Sequence, residues 1–245
     1  MLSPSKHGGK ILAGIDGCKG GWVCALRYAD SAAVEIRLLT HIEQIAALKP
    51  RPAIAAIDMP IGFLDQAVEG GRECERQARK KLPGRTSCVF SAPCRAVLPM
   101  YPDGHKKASQ RNRESGPDGV GLSIQAFHLL PKLKELDDFL DIAHRDWIIE
   151  SHPELAFALL NSERPVLEPK RKMPGRNARI KLLRDVPIEV PNSKPASHNE
   201  IEAEWDDILD AIVLTLTSER VLKHKATVLG KGSRDSRGLR MEICF

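Results

Sequence analysis

The chain has 245 residues, 42% hydrophobic and 28% charged, with 37 Lys and Arg against 32 Asp and Glu for a formal charge of +5. That is enough apolar material for one substantial core or two small ones. No run of about 18 apolar residues exists, which excludes a transmembrane helix, and the polar residues 1–10 carry no signal-peptide core, so a cytoplasmic location is expected.

In chain order, residues 11–16, 22–28 and 34–39 read as three strands, the first two joined by Gly20-Gly21. Thr40 is placed to cap a helix running to Leu48. Residues 53–57 are wholly apolar, as in a strand buried on both faces. The stretch 62–145 reads as a long insertion, with helices over 72–81 and 123–140 separated by a Pro/Gly-rich loop over 83–117. Residues 147–150 form a fifth core strand, and a helix starts near Glu154. A basic segment from Lys170 is expected to order with substrate, and 186–200 reads as an exposed loop. Residues 205–223 have the pattern of an amphipathic helix. The whole is expected to be one elaborated α/β domain.

The six cysteines include no CxxC pair, so reduced core or loop residues are expected rather than a zinc cage or disulfide frame. Basic residues concentrate in 72–95 and 168–184, where they can meet phosphates or simply form a solvated face. Aromatic residues make up only 4% of the chain, which argues against a base-stacking platform for single strands.

The chemistry lies in the acids. Asp16 ends the first apolar strand and Asp58 the fourth, while Asp207 and Asp210 are spaced i,i+3 on the last helix. Buried carboxylates are costly unless a cation compensates them, and oxygen-only ligation favours Mg²⁺ or Mn²⁺. Asp16, Asp58, Asp207 and Asp210 are therefore the candidate ligands. Glu150, at the end of the fifth strand, is a fifth candidate acid that can equally cap a helix or pair with an arginine. His152, two residues on, is an orienting or structural group more readily than a ligand. The turn at 16–22 lacks P-loop spacing and leads into a strand, so its glycines make a tight turn beside a charged site. Lys19 within it remains a candidate phosphate contact.

The order of these acids resembles the RNase H fold, with spacing close to Holliday-junction resolvases. Several stretches are similar to family 429 of domains of unknown function (DUF429), a bacterial and archaeal family described as predicted RNase H-fold nucleases. They are Gly14-Ile15-Asp16-Gly17-Cys18-Lys19-Gly20-Gly21-Trp22, Ile57-Asp58-Met59-Pro60-Ile61-Gly62 and Gly84-Arg85-Thr86-Ser87-Cys88-Val89-Phe90. Further on come Gly121-Leu122-Ser123-Ile124-Gln125, Glu150-Ser151-His152-Pro153-Glu154, Lys170-Arg171-Lys172 and Asp207-Ile208-Leu209-Asp210-Ala211. The resemblance implies a mixed sheet of three antiparallel strands followed by parallel ones, flanked by helices. It also implies a metal-dependent nuclease whose substrate contacts come from Lys19, Arg79, Arg85, Ser87, Arg95, Gln125, Lys132, His152, Lys170 and Arg179. Resolvases carry Glu where this chain has Asp58, and the Met-Pro-Ile-Gly that follows bends the chain beside the site. That crowding favours a small or single-stranded substrate over a duplex.

The expected activity is thus hydrolysis of a phosphodiester in nucleic acid, with Glu150 or His152 assisting proton transfer. Two alternatives stand beside it. One is a nucleotide or phosphate-ester protein performing phosphoryl transfer on the same fold. The other is a nucleic-acid-binding module without catalysis. An oligomer is compatible with all three.

Overall fold

The computed structural model describes residues 9–141, 143–186, 188–197 and 201–245. Parts of the polar N-terminal stretch and of the loop expected over 186–200 lie outside the described residues. The chain divides into two compact units. The first comprises Met1–Met59, Asp146–Thr227 and Cys244–Phe245, and the second Pro60–Arg145 and Val228–Ile243.

A five-stranded mixed sheet organises the first unit. Its strands are β1 (Ile11–Cys18), β2 (Gly21–Tyr28), β3 (Glu35–Leu39), β4 (Ile54–Ile57) and β5 (Ile148–Glu150). Their order across the sheet is β3-β2-β1-β4-β5, antiparallel on the β3 side and parallel from β1 to β5. This is an RNase H-like arrangement, with the long insertion following β4. β1 is central and buried through nearly its whole length, as its apolar run requires.

Between β3 and β4 the helix expected to run to Leu48 shrinks to one turn, α1 (Gln44–Ala47). Thr40 does not cap it. Instead the Gln44 side-chain carbonyl accepts from the Thr40 amide at 2.9 Å, turning the chain before the helix can begin. After β5 come α5 (Pro153–Leu160), α6 (Met173–Arg184) and α7 (Trp205–Leu222), counting α2 to α4 in the insertion. Most of the basic segment from Lys170, expected to order with substrate, is α6. It starts with Pro174 in its first turn, where the missing amide is harmless, and it is anchored by Arg179, which is completely buried.

α7 packs on β1, β2 and β4. Its approach depends on Gly14, where a β-carbon would lie 2.0 Å from the Ala211 carbonyl oxygen. Ser218 pins the same face. Its hydroxyl donates to the Ala13 carbonyl at 2.6 Å and accepts from the Ala56 amide at 3.0 Å. Arg27, buried on β2, donates to Thr215 at 3.0 Å and pairs with Glu219, so α7 is bonded to three consecutive strands of the sheet.

The second unit holds α2 (Glu73–Lys81), α3 (His105–Glu114) and α4 (Ile124–Phe139). Arg72 and Glu75, both buried, pair at 2.6 Å at the start of α2, and Arg72 also donates to the Ile61 and Gly62 carbonyls at 2.9 and 3.2 Å. The loop expected over 83–117 is more structured than its composition suggests. It contains 3₁₀ turns at Thr86–Cys88 and Arg95–Asp103 as well as α3. α3 carries no apolar stripe and buries only Ala108, Ser109 and Asn112, so periodicity has nothing to register. Two short strands near the C-terminus, β6 (Val228–Leu229) and β7 (Ile243–Cys244), also go beyond the sequence reading. All six cysteines are free thiols. No helix among the described residues is long and apolar enough to cross a membrane.

Candidate metal centre

The site follows from strand register. β1 and β4 run parallel with Gly14 opposite Ala56 and Ile15 opposite Ile57. Side chains alternate along a strand, so residues two further on, Asp16 and Asp58, share the face that Gly14 and Ala56 present to α7. The Asp58 amide continues the ladder, donating to the Ile15 carbonyl at 2.9 Å. On α7, Asp210 directly precedes Ala211, the residue against which Gly14 packs, and so reaches the same place. Asp16, Asp58 and Asp210 each offer a carboxylate oxygen, and the three oxygens lie within 4.8 Å of one another.

Burial dominates the electrostatics. It lifts Asp16 well above the usual carboxylate range, and the neighbouring charges of Asp58 and Asp210 add to the effect. Asp210 is pushed up to about 6, first by burial and against the pull of Lys170. Asp58, half-buried, is raised by burial and held back by His152 and Lys170. Asp16 Oδ1 accepts from the Gly17 amide at 2.7 Å. Lys170 binds Asp210 Oδ2, whereas Asp210 Oδ1 is buried without a hydrogen-bond partner. Lys170 itself is pulled down by burial, but Asp210, Asp16 and Asp58 outweigh that and hold its ammonium charged.

Three ionised carboxylates and one ammonium leave two negative charges, which a divalent cation would balance. The donors are all hard oxygens, and an unsatisfied buried carboxylate oxygen is the kind of atom that a cation completes. The residues present therefore fit a divalent ion, with Asp16, Asp58 and Asp210 as its holders.

Asp207 is one turn before Asp210 and raises the Asp16 carboxyl, but it lies outside the converging three. One of its oxygens accepts from the Glu204 amide at 2.9 Å, closing the capping box of α7. Glu150 is buried at the end of β5, opposite Ile57. His152 caps α5, its Nδ1 accepting from the Glu154 amide at 3.2 Å. Lys19 is exposed in the β1–β2 turn and pairs with Glu202 at 2.9 Å.

Arg179, expected at a phosphate, faces inward instead. It makes two bonds to Glu154, at 2.7 and 2.8 Å, and donates to the Gly175 carbonyl at 3.0 Å, so it clamps α6 to α5. Its partner lies 25 residues away in sequence, and nothing local marks the pairing. Gly175 completes the fit: a β-carbon there would lie 2.2 Å from the Pro169 carbonyl, directly before Lys170.

Six further candidates belong to the second unit. Arg79 donates to the Val89 and Gly70 carbonyls and to Ser91, and Arg95 pairs with Asp137 and Asp235, so both guanidiniums are engaged in fixing loops. Arg85 and Ser87 flank a 3₁₀ turn, and Gln125 and Lys132 lie on α4.

Sequence reasoning missed Lys170 as the counter-ion of the cluster, having assigned it to a phosphate. It counted Arg171 and Arg176 only within a basic block and did not single out Trp205; all three line a cleft next to the cluster. The charge run was visible, but the face it would present was not. No curated protein matches the chain, and neither does any solved structure. The family model described as "Protein of unknown function (DUF429)" matches residues 14–233, a span that includes all three converging aspartates, and the chain belongs to that family.

Proposed function

We propose that the protein is a metal-dependent phosphodiester hydrolase acting on nucleic acid, with Asp16, Asp58 and Asp210 holding Mg²⁺ or Mn²⁺. The observation that carries this reading is the convergence of three carboxylates from three separate elements, together with the unpartnered oxygen of Asp210. A bound divalent ion would supply charge neutralisation at phosphorus and a more acidic water.

The chain's own residues do the rest. Asp16 and Asp58 are held rigid by the β1–β4 ladder and Asp210 by the close packing of α7, so the donors are organised before any ligand arrives. Lys170 is the cation nearest the cluster and is suited to meeting a phosphate oxygen if it releases Asp210. His152 acts on Asp58 electrostatically, with Nδ1 committed to the α5 cap; proton exchange would use Nε2. Asp207 and Glu150 are supporting acids in this reading.

One observation favours a non-catalytic module: Lys170 already gives the cluster a cation. A single ammonium covers only one of three charges, however, and burial still lifts the Asp210 carboxyl to about 6 against the pull of Lys170.

The test is a Mg²⁺ and Mn²⁺ titration of wild type and Asp16→Asn, following thermal stability and cleavage of labelled single- and double-stranded nucleic acid. The reading expects metal-dependent stabilisation and cutting that are both lost in the variant. Absence of any metal response in the wild type would remove it.

A further inference from the structure

A cleft of about 450 Å³ opens beside the aspartate cluster, lined by Gly17, Lys19, Lys170, Arg171, Arg176 and Trp205, with Asp207 at the shared edge. We infer that this cleft holds one nucleotide unit, with its base against Trp205 and its phosphate between Arg171 and Arg176. The inference deepens the phosphodiesterase reading by naming the ligand of the same site, and rests on it for the role of the neighbouring aspartates.

The charges in the cleft sort into engaged and available groups. Glu202 pairs with Lys19 at 2.9 Å, Glu204 with Lys194 at 3.2 Å, and one oxygen of Asp207 accepts from the Glu204 amide. Lys170 is bound to Asp210. The two arginines are held differently. Arg171 is highly exposed and touches Asp206 only at 3.4 Å, and Arg176 donates to the sulfur of Met173. A thioether is a weak acceptor, and a contact of 3.4 Å is a weak bond. Both guanidiniums can therefore turn to a phosphate at little cost, and arginine forks match phosphate geometry.

The balance of acids and bases around the cleft suits one phosphate rather than a polyphosphate. Trp205 supplies the second half of the recognition. Of the three tryptophans, Trp22 and Trp147 are buried, and Trp205 alone is half-buried, on the cleft wall. One indole face can stack one base, an interaction of about 1–3 kcal/mol. The low aromatic content argues against a platform for several bases and is compatible with a site for one.

The ligand chemistry is a nucleoside monophosphate, whether free or at the end of a single strand. Trp205 also reports on its own occupancy. In chelator, adenosine 5′-monophosphate is expected to quench the indole fluorescence saturably, with adenosine or inorganic phosphate binding at least tenfold more weakly. Arg171→Ala/Arg176→Ala should weaken the monophosphate at least tenfold with an unchanged melting temperature, and the quenching should vanish in Trp205→Phe. Absent quenching, equal binding of adenosine, an unaffected arginine variant or quenching that survives in Trp205→Phe would each overturn the assignment.

A 5′-phosphorylated oligonucleotide binding at least tenfold more tightly than the monophosphate identifies a strand end as the ligand; equal affinity identifies the free nucleotide. Quenching in a protein without any metal response keeps the cleft and removes the hydrolase. Metal-dependent cutting without quenching does the reverse.

Discussion

The Lys170 ammonium binds one oxygen of Asp210 while the other oxygen of that carboxylate is buried with no partner. A divalent ion held by Asp16, Asp58 and Asp210 would meet this resident cation at short range. Like charges a few ångströms apart repel by about 1–4 kcal/mol at effective dielectrics of water and protein surface. Lys170→Met should therefore tighten Mn²⁺ binding by about tenfold, read by calorimetry, while Asp210→Asn weakens it by at least as much. Unchanged affinity in Lys170→Met would mean that the ion binds away from the ammonium.

Gly14 sets the distance between sheet and helix. A β-carbon there would overlap the Ala211 carbonyl, and Thr215 and Leu214 are nearly as close, so α7 must shift to admit it. Gly14→Ala is expected to cost about 1–3 kcal/mol as an overpacking substitution. Its effect on metal binding should exceed what lost stability explains, because Asp210 rides on α7. A melting curve paired with a Mn²⁺ titration at a temperature where the variant stays folded separates the two effects. Normal affinity in a destabilised variant would show that α7 does not position the site.

The parts of this arrangement that were legible in sequence are those set by local pattern. An apolar run ending in Asp16-Gly17, another ending in Asp58, and an intervening hairpin suffice to put two acids at adjacent strand ends. The helix contributed an ambiguity that spacing could not resolve, because Asp207 and Asp210 share a face. The close approach at Gly14 and the amide bond taken by Asp207 decide which of them meets Asp16 and Asp58, and both depend on tertiary packing. α3 and α6 escaped notice because charge hides their period, and Pro174-Gly175 reads as a break where it is a helix start. The inward turn of Arg179 was invisible for a related reason: an arginine in a basic run looks the same whether its partner is solvent or a distant glutamate.

Glu154 and Arg179 form an almost fully buried ion pair in which both carboxylate oxygens accept from Arg179 Nη2. Removing one member leaves an uncompensated buried charge, at about 3–5 kcal/mol, whereas an apolar replacement of both is often close to neutral. Arg179→Met should thus melt far below wild type and Glu154→Leu/Arg179→Met well above that single variant. A double variant no better than the single would show that the pair serves more than charge compensation.

Burial raises Asp16 and Asp210 above the ordinary value of 3.8, with Asp210 reaching about 6. The folded chain therefore holds these protons more tightly than the unfolded chain does. Stability linked to them is full below about pH 4 and is lost as pH rises through the folded values, near 6 for Asp210 and well above the ordinary carboxylate value for Asp16. In chelator, the melting temperature of wild type minus that of Asp16→Asn should fall between pH 4 and pH 7. Saturating Mn²⁺ should reverse the slope, because the ion binds the ionised carboxylates and competes with protons. Melting curves across that range, with and without Mn²⁺, make the comparison. A difference that stays flat in chelator would mean that Asp16 is ionised throughout, and Lys170 would then be neutralising the cluster more completely than the charge count allows.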